Sequence, residues 1–136
     1  MKALRIEPDD ANFIEERRQM EKRYPMNRRY FMADIVKATE QIEGIEHEEL
    51  VSSSRSSKYA VPRWRIFHIS RFELALSYAQ IGRLMLRDHS TVIHGLKKYV
   101  EEYLDTPTEQ ARRNIILARA ESLFLNIPVD VDDAEP

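Results

Sequence analysis

The sequence predicts an all-α fold, a small helical bundle that contains a helix-turn-helix. Three observations carry that expectation. The 136 residues include only 3 glycines and are rich in Glu, Arg, Leu and Ile, which favours helix over sheet. Apolar residues recur at helical spacing in one segment after another. Finally, only "LRD" separates "YAQIGRLM" from "HSTVIHGLKKYVEEYL", a corner that suits two helices meeting at an angle.

The elements follow in chain order. "DDANFIEERRQMEKRY", residues 9 to 24, reads as a peripheral helix started by Asp9 or Asp10, with Phe13, Met20 and Tyr24 as a thin apolar stripe and Pro25 as its stop. In "MNRRYFMADIVKATEQIEG", the residues Tyr30, Phe31, Ile35, Val36, Thr39 and Ile42 recur near helical period until Gly44 ends the pattern. "HEELV" gives one short turn, and "SSSRSSK" a serine-rich loop. Pro62 suits the first turn of the next helix, "PRWRIFHISRFELAL", whose expected core residues are Ile66, Ile69, Phe72 and Leu76.

Ser77 is the natural cap of "YAQIGRLM", and Asp88 of the helix after the corner. Thr106-Pro107 restarts a helix that is expected to reach about Leu125. The expected organisation is a peripheral helix in residues 1–25, the helix-turn-helix unit with its C-terminal helix in 26–125, and an acidic, disordered tail in 126–136.

Composition narrows the function. A formal net charge of −2 conceals a strong asymmetry. Residues 50 to 98 hold nine bases (Arg55, Lys58, Arg63, Arg65, Arg71, Arg83, Arg87, Lys97, Lys98) against two acids, Glu73 and Asp88. Residues 99 to 136 hold three bases and nine acids. A basic block in an otherwise acidic chain points to a local polyanion-binding surface.

With no cysteine there is no disulfide and no thiolate zinc site, which fits a reducing cytoplasm. No apolar run reaches membrane-spanning length, and the N-terminus lacks the apolar stretch of a secretory signal. Neither G-x-x-x-x-G-K-[ST] nor G-x-G-x-x-G is present, so ATP hydrolysis is not expected. The expectation is therefore a cytoplasmic, nucleoid-associated protein, not an enzyme, without cofactor or metal.

Wound at 100° per residue from Asp88, the helix after the corner segregates its side chains. Ser90, Thr91, His94, Lys97 and Lys98 fall on one arc, and Val92, Ile93, Leu96, Tyr99, Val100 and Tyr103 on the other. Short donors and acceptors followed by lysines are what a helix entering the major groove needs. A plain capped surface helix has the same composition, and both readings stay open on these residues alone. His89 and His94 are five apart, off the three or four of helical metal ligands. Asp88, His89 and Ser90 have the residue types of a hydrolytic triad, but consecutive helical side chains diverge. Arg55 and Lys58 in the serine-rich loop suit a minor groove, although such loops are commonly only solvated linkers.

"SRSSKYAVPR", "SYAQIG" and above all "RDHSTVIHGLKK" resemble the C-terminal DNA-binding domain of the bacterial chromosomal replication initiator DnaA. The resemblance runs from about Tyr30 to Tyr103, a little over half the chain. It implies an all-helical domain that binds short asymmetric duplex sites, the DnaA boxes, of the form TTATNCACA. By the same resemblance Asp88, His89, Thr91 and His94 line the major groove. Ser90 stands where the family often has Thr, Arg55 matches the minor-groove arginine, Arg63 a phosphate contact and Arg87 the signature arginine. Arg65, Lys58, Lys97 and Lys98 complete the expected contacts, roughly six to eight of them to phosphate.

Two departures stand out. The family's Phe-Gly-Gly before Arg-Asp-His is replaced by "ML", one residue shorter and without glycine, and serines occupy Ser53, Ser54 and Ser57 in the basic loop. The family's ATPase domain has no counterpart here, so the resemblance implies a stand-alone relative that binds double-stranded DNA and acts with replication proteins. Two other functions fit the sequence: a phage or mobile-element transcriptional regulator with an unrelated operator, and a protein-interaction adaptor.

Overall fold

The computed structural model describes residues 30–133, with side-chain surroundings as far as Leu125. The expected helix at 9 to 24 lies outside the described residues. Six helices and no strand make up the described chain: α1 (Met32–Glu43), α2 (His47–Leu50), α3 (Ser57–Phe72), α4 (Tyr78–Met85), α5 (His89–Glu102) and α6 (Pro107–Asp133). The all-α expectation holds.

Local signals set most of the ends. Gly44 closes α1 at φ 68°, the left-handed conformation that a residue without Cβ adopts freely, and its N–H donates to Glu40 O at 2.9 Å. Ser77 and Gln80 form a reciprocal cap on α4, the Ser77 hydroxyl accepting from Gln80 N at 3.0 Å and Gln80 Oε1 from Ser77 N at 2.8 Å. Thr106 Oγ1 accepts from Glu109 N at 3.2 Å at the start of α6.

Two helices differ from expectation. α3 begins five residues before Pro62, at Ser57, because Ser56 Oγ accepts from Lys58 N at 3.2 Å and starts the helix there. Pro62 is thus inside the helix, and Lys58 belongs to its first turn rather than to the loop. Ending at Phe72, α3 leaves Phe72 59% exposed, and its place in the core falls to Phe67, which is 1% exposed. Leu76 is buried as expected, but in the connection to α4. α6 continues past Leu125, its expected end, to Asp133.

The core lies between α1, α3, α4, α5 and α6, around Met32, Ile35, Ile66, Phe67, Ile81, Val92 and Ile116. α1 packs on α6 along one side and on α3 along the other, which is why Met32, Ala33, Ile35, Val36 and Ala38 are all buried. α5 approaches α3 closely at Gly95, where an added Cβ would stand 2.5 Å from Trp64 Cδ1 and 2.7 Å from Trp64 Nε1. α4 meets the corner closely at Gly82, where a Cβ would stand 2.3 Å from the Arg87 carbonyl oxygen.

Three arginines of the basic block tie these elements together. Arg65, 3% exposed, donates from Nε and Nη2 to the two carboxylate oxygens of Glu109 and from Nη1 to Glu43 Oε2 at 2.8 Å. Burial pushes its guanidinium pKa down, but Glu109 and Glu43 reverse this and raise it above the ordinary value. Tyr99 donates to the same Glu109 carboxylate at 2.7 Å, and burial followed by that bond pushes its phenol up to about 12. Arg63, 6% exposed, donates to the carbonyls of Leu50, Ser54, Ser52 and Glu49 at 2.6, 2.6, 2.9 and 3.0 Å. Burial, then the nearby Arg87 charge, lowers it to about 10. Arg87, half-buried, donates to Val51 O at 2.9 Å and Ser52 O at 2.5 Å.

Three outcomes follow from this packing. Removing Arg63 leaves the buried-side carbonyls of Leu50 and Ser54 without a donor, while Glu49 O keeps Ser52 and Ser52 O keeps Arg87, so Arg63→Ala is expected to cost about 3 kcal/mol and to speed tryptic cleavage after Arg55 several-fold, measured by thermal melting and timed digestion. Gly95→Ala gains about 1 kcal/mol in helix propensity but drives a methyl into Trp64, which costs roughly 1–3 kcal/mol. The clash prevails because the Trp64 ring is backed by Tyr103 at 6.0 Å between centroids, and a lowered melting temperature is expected.

The third outcome concerns pH. His68 packs between Phe72 and Tyr99, its Nδ1 buried without a hydrogen-bond partner among the described residues. Burial, then the Arg113 charge, lowers its pKa from 6.5 to about 4. The unfolded chain therefore takes up a proton near pH 6.5 that the fold refuses, so stability is full above pH 6.5 and falls as pH drops toward 4. His68→Leu should flatten the melting temperature across that window.

Candidate nucleic-acid interface

The expected reading face is assembled at the start of α5. Asp88 is its N-cap at φ −79° and ψ 163°, its Oδ1 accepting from Thr91 N at 3.2 Å, Thr91 Oγ1 at 2.7 Å and Ser90 Oγ at 3.4 Å. The two Thr91 bonds come first in holding the Asp88 carboxyl below its usual pKa range. Because the Thr91 hydroxyl hydrogen is engaged by the cap, this side chain presents its methyl rather than a free donor. His89, Ser90, Thr91, His94 and Lys97 are all exposed along the helix. Val92, Leu96 and Tyr99 are buried on the opposite side, while Val100, expected there, is 42% exposed. Lys98 is half-buried and pairs with Glu102 at 3.1 Å, an i,i+4 surface pair that a phosphate can displace at little cost.

Facing this strip across an open cleft of about 780 Å³ is the serine-rich loop. Arg55 lines one wall with Ser53 and Ser54, and Ser90, Thr91 and His94 line the other, with Trp64 and Phe67 among the remaining lining residues. Arg55 is exposed, and so is Lys58, whose ammonium lies 5.7 Å from the Tyr59 ring centroid. Serine side chains shape the loop from within. Ser52 Oγ accepts from Ser54 N at 3.3 Å, and Ser54 Oγ from Ser56 N at 3.2 Å.

The structure thus brings together Arg55, Asp88, His89, Ser90, Thr91, His94 and Lys97 as an exposed set, with Lys58 on the adjoining first turn of α3. It corrects two expected contacts. Arg63 and Arg65 are buried, with every guanidinium nitrogen already donating to carbonyls or carboxylates, and they are not surface phosphate contacts. Arg87 is half-buried, donates to Val51 and Ser52 and lines the cleft, so it steadies the loop from the corner side.

Arg83, one of the nine bases of the block, is exposed on α4. One residue without a role in the sequence reading belongs to this side. Leu86, 64% exposed, lines the cleft from the corner itself. Its only signal in the sequence was the missing glycine. Among the described residues no group of three or more His, Asp or Glu side chains is placed to hold a metal ion, and no helix is long and apolar enough to cross a membrane.

The comparisons with known proteins agree with this geometry. The family described as bacterial dnaA protein helix-turn-helix matches residues 32–98, the stretch from α1 into α5. Chromosomal replication initiator protein DnaA 1 of Chlamydia muridarum is 41% identical over 63 residues, 46% of this chain and 14% of that protein. The chromosomal replication initiator protein DnaA of Thermomicrobium roseum is 44% identical over 73 residues, 53% of this chain and 15% of its own length. That of Desulfotalea psychrophila is 36% identical over 91 residues, 67% of this chain and 17% of its own. The chain therefore spans about one sixth of the length of these relatives or less. No solved structure matches significantly. With its capped reading helix, three-residue corner and basic loop in place, the segment 32–98 is a DNA-binding helix-turn-helix domain of the bacterial DnaA family.

Proposed function

We propose that this chain binds duplex DNA sequence-specifically at sites resembling DnaA boxes, and through them acts on replication initiation. The observation that carries the reading is the exposed strip Asp88, His89, Ser90, Thr91, His94 and Lys97, set across a cleft from Arg55. α5 would lie in the major groove. There His94 and Ser90 reach base edges, and the Thr91 methyl meets a thymine methyl. The Arg55 loop would enter the adjacent minor groove, where a guanidinium meets concentrated negative potential. Lys58, Arg83, Lys97 and Lys98 would contact phosphates, and replication proteins gathered at the same sites are the fitting partners.

With Arg63 and Arg65 buried and Arg87 engaged on the loop, about four cations remain for phosphate, and the expected slope of log affinity against log salt is about −4. Fluorescence anisotropy with a TTATNCACA duplex and a scrambled duplex tests the proposal. Tighter binding of the first is expected, and equal binding of both removes it. His94→Ala should lose roughly 1–3 kcal/mol of discrimination between the two duplexes, while Lys97→Ala weakens both alike and lowers the salt slope by about one.

The shortened corner favours a second reading, a regulator with an unrelated operator. Selection of bound duplexes from a random pool separates the two, because its consensus either contains the DnaA-box core or does not.

A further inference from the structure

Leu86 breaks two local rules at once. It holds φ 59° and ψ 42°, left-handed backbone that only Gly and, less readily, Asn or Asp adopt without a steric cost between Cβ and carbonyl. It also leaves a large apolar side chain 64% exposed, so no burial offsets that strain. Nothing in the corner requires a side chain there. The connection closes through backbone alone, Arg87 N donating to Gly82 O at 2.7 Å and Leu86 N to Arg83 O at 3.4 Å. A glycine would make the same bonds without strain. The place of the residue is the telling feature: Leu86 lines the cleft that also exposes Arg55, Ser90, Thr91 and His94, two residues ahead of the cap of the reading helix. A strained, exposed residue against a binding face is where a ligand contact is expected to offset the cost.

We infer that Leu86 is a specificity-determining residue, whose side chain packs on the C5-methyl group of a thymine beside the base pairs read by the first turn of α5. The inference rests on the DNA-reading proposal above and deepens it. In the major groove the thymine methyl is the apolar feature that distinguishes base pairs, so an apolar side chain carried into that groove selects thymine. Ahead of the helix cap, Leu86 reaches the duplex beyond the stretch that Ser90, Thr91 and His94 cover. It would extend the site read by the domain by one position.

The test is a double-substitution cycle on the site recovered by random-duplex selection with the full chain. Wild type is expected to enrich thymine at one position next to those lost in His94→Ala. Replacing that thymine by deoxyuridine removes only the methyl, and should weaken wild-type binding roughly three- to tenfold. Leu86→Gly and Leu86→Asn, both compatible with the left-handed backbone, should bind the thymine and deoxyuridine duplexes equally, with a melting temperature as high as wild type or higher. Full deoxyuridine sensitivity in both variants overturns the inference, as does a loss of affinity that is uniform over all sequences, which marks a sugar or phosphate contact. If wild type enriches no consensus, the DNA-reading proposal fails and this inference with it; a consensus without coupling to Leu86 removes only the inference.

Discussion

Arg65 lies 3% exposed between the carboxylates of Glu109 and Glu43, with Tyr99 donating to the same Glu109 oxygen that its Nε reaches. Four helices meet at this point: α3 brings the guanidinium, α6 and α1 the carboxylates, and α5 the phenol. A buried ion pair is weak evidence of net stability, because desolvation offsets most of the attraction. Its effect on geometry is stronger. Any shift of α5 along α3 would strand a charge or a hydroxyl in the interior, at a cost of several kcal/mol, so the helix that carries the reading face has one available seat. The outer face of α5 can then be small, polar and exposed, since beyond the Asp88 cap nothing on it is needed to hold the helix.

Arg63 and Arg87 do for the loop what Arg65 does for the helix. Both are directed at the backbone of residues 49 to 54, and together they take the carbonyls of Glu49, Leu50, Val51, Ser52 and Ser54. A loop with no buried apolar side chain between Ser52 and Ser56 has no hydrophobic means of staying in place. Charge-assisted bonds to its carbonyls supply one, and they hold Arg55 across the cleft from Thr91 and His94. The domain thus divides its cations by depth. Inner arginines fix the shape of the surface, and outer cations are left to meet the polyanion.

That division explains which parts of the protein were legible in the sequence. Ser77, Asp88, Gly44 and Thr106-Pro107 were readable because a cap or stop acts within four residues, and each does in the structure what its type suggests. The exposed strip of α5 was readable for the same reason, since helical period alone sorts its faces. The arginines were not. Whether a guanidinium points outward or inward depends on acceptors far away in sequence, 44 residues for Arg65 and Glu109 and 35 for Arg87 and Ser52. Counting charges gave the block its surplus but could not place it. Pro62 misled in a different way. Its preference for a helix start is real, but the Ser56 cap lies upstream and takes precedence.

The corner between α4 and α5 shows how three residues can join two helices. Two close approaches seat the helices on either side of it. Gly82 admits the Arg87 carbonyl to where a Cβ would stand, and Gly95 admits the Trp64 ring from α3. The first acts between α4 and the corner backbone, the second between α5 and α3. The link has only to reverse the chain, which one left-handed residue accomplishes, with the 2.7 Å bond from Arg87 N to Gly82 O closing it. The chemical identity of that residue is therefore free of structural demand beyond its backbone angles. Its side chain holds nothing in the frame together and lines the cleft. A leucine held there against its own backbone preference, and exposed, is what the proposed thymine contact would account for.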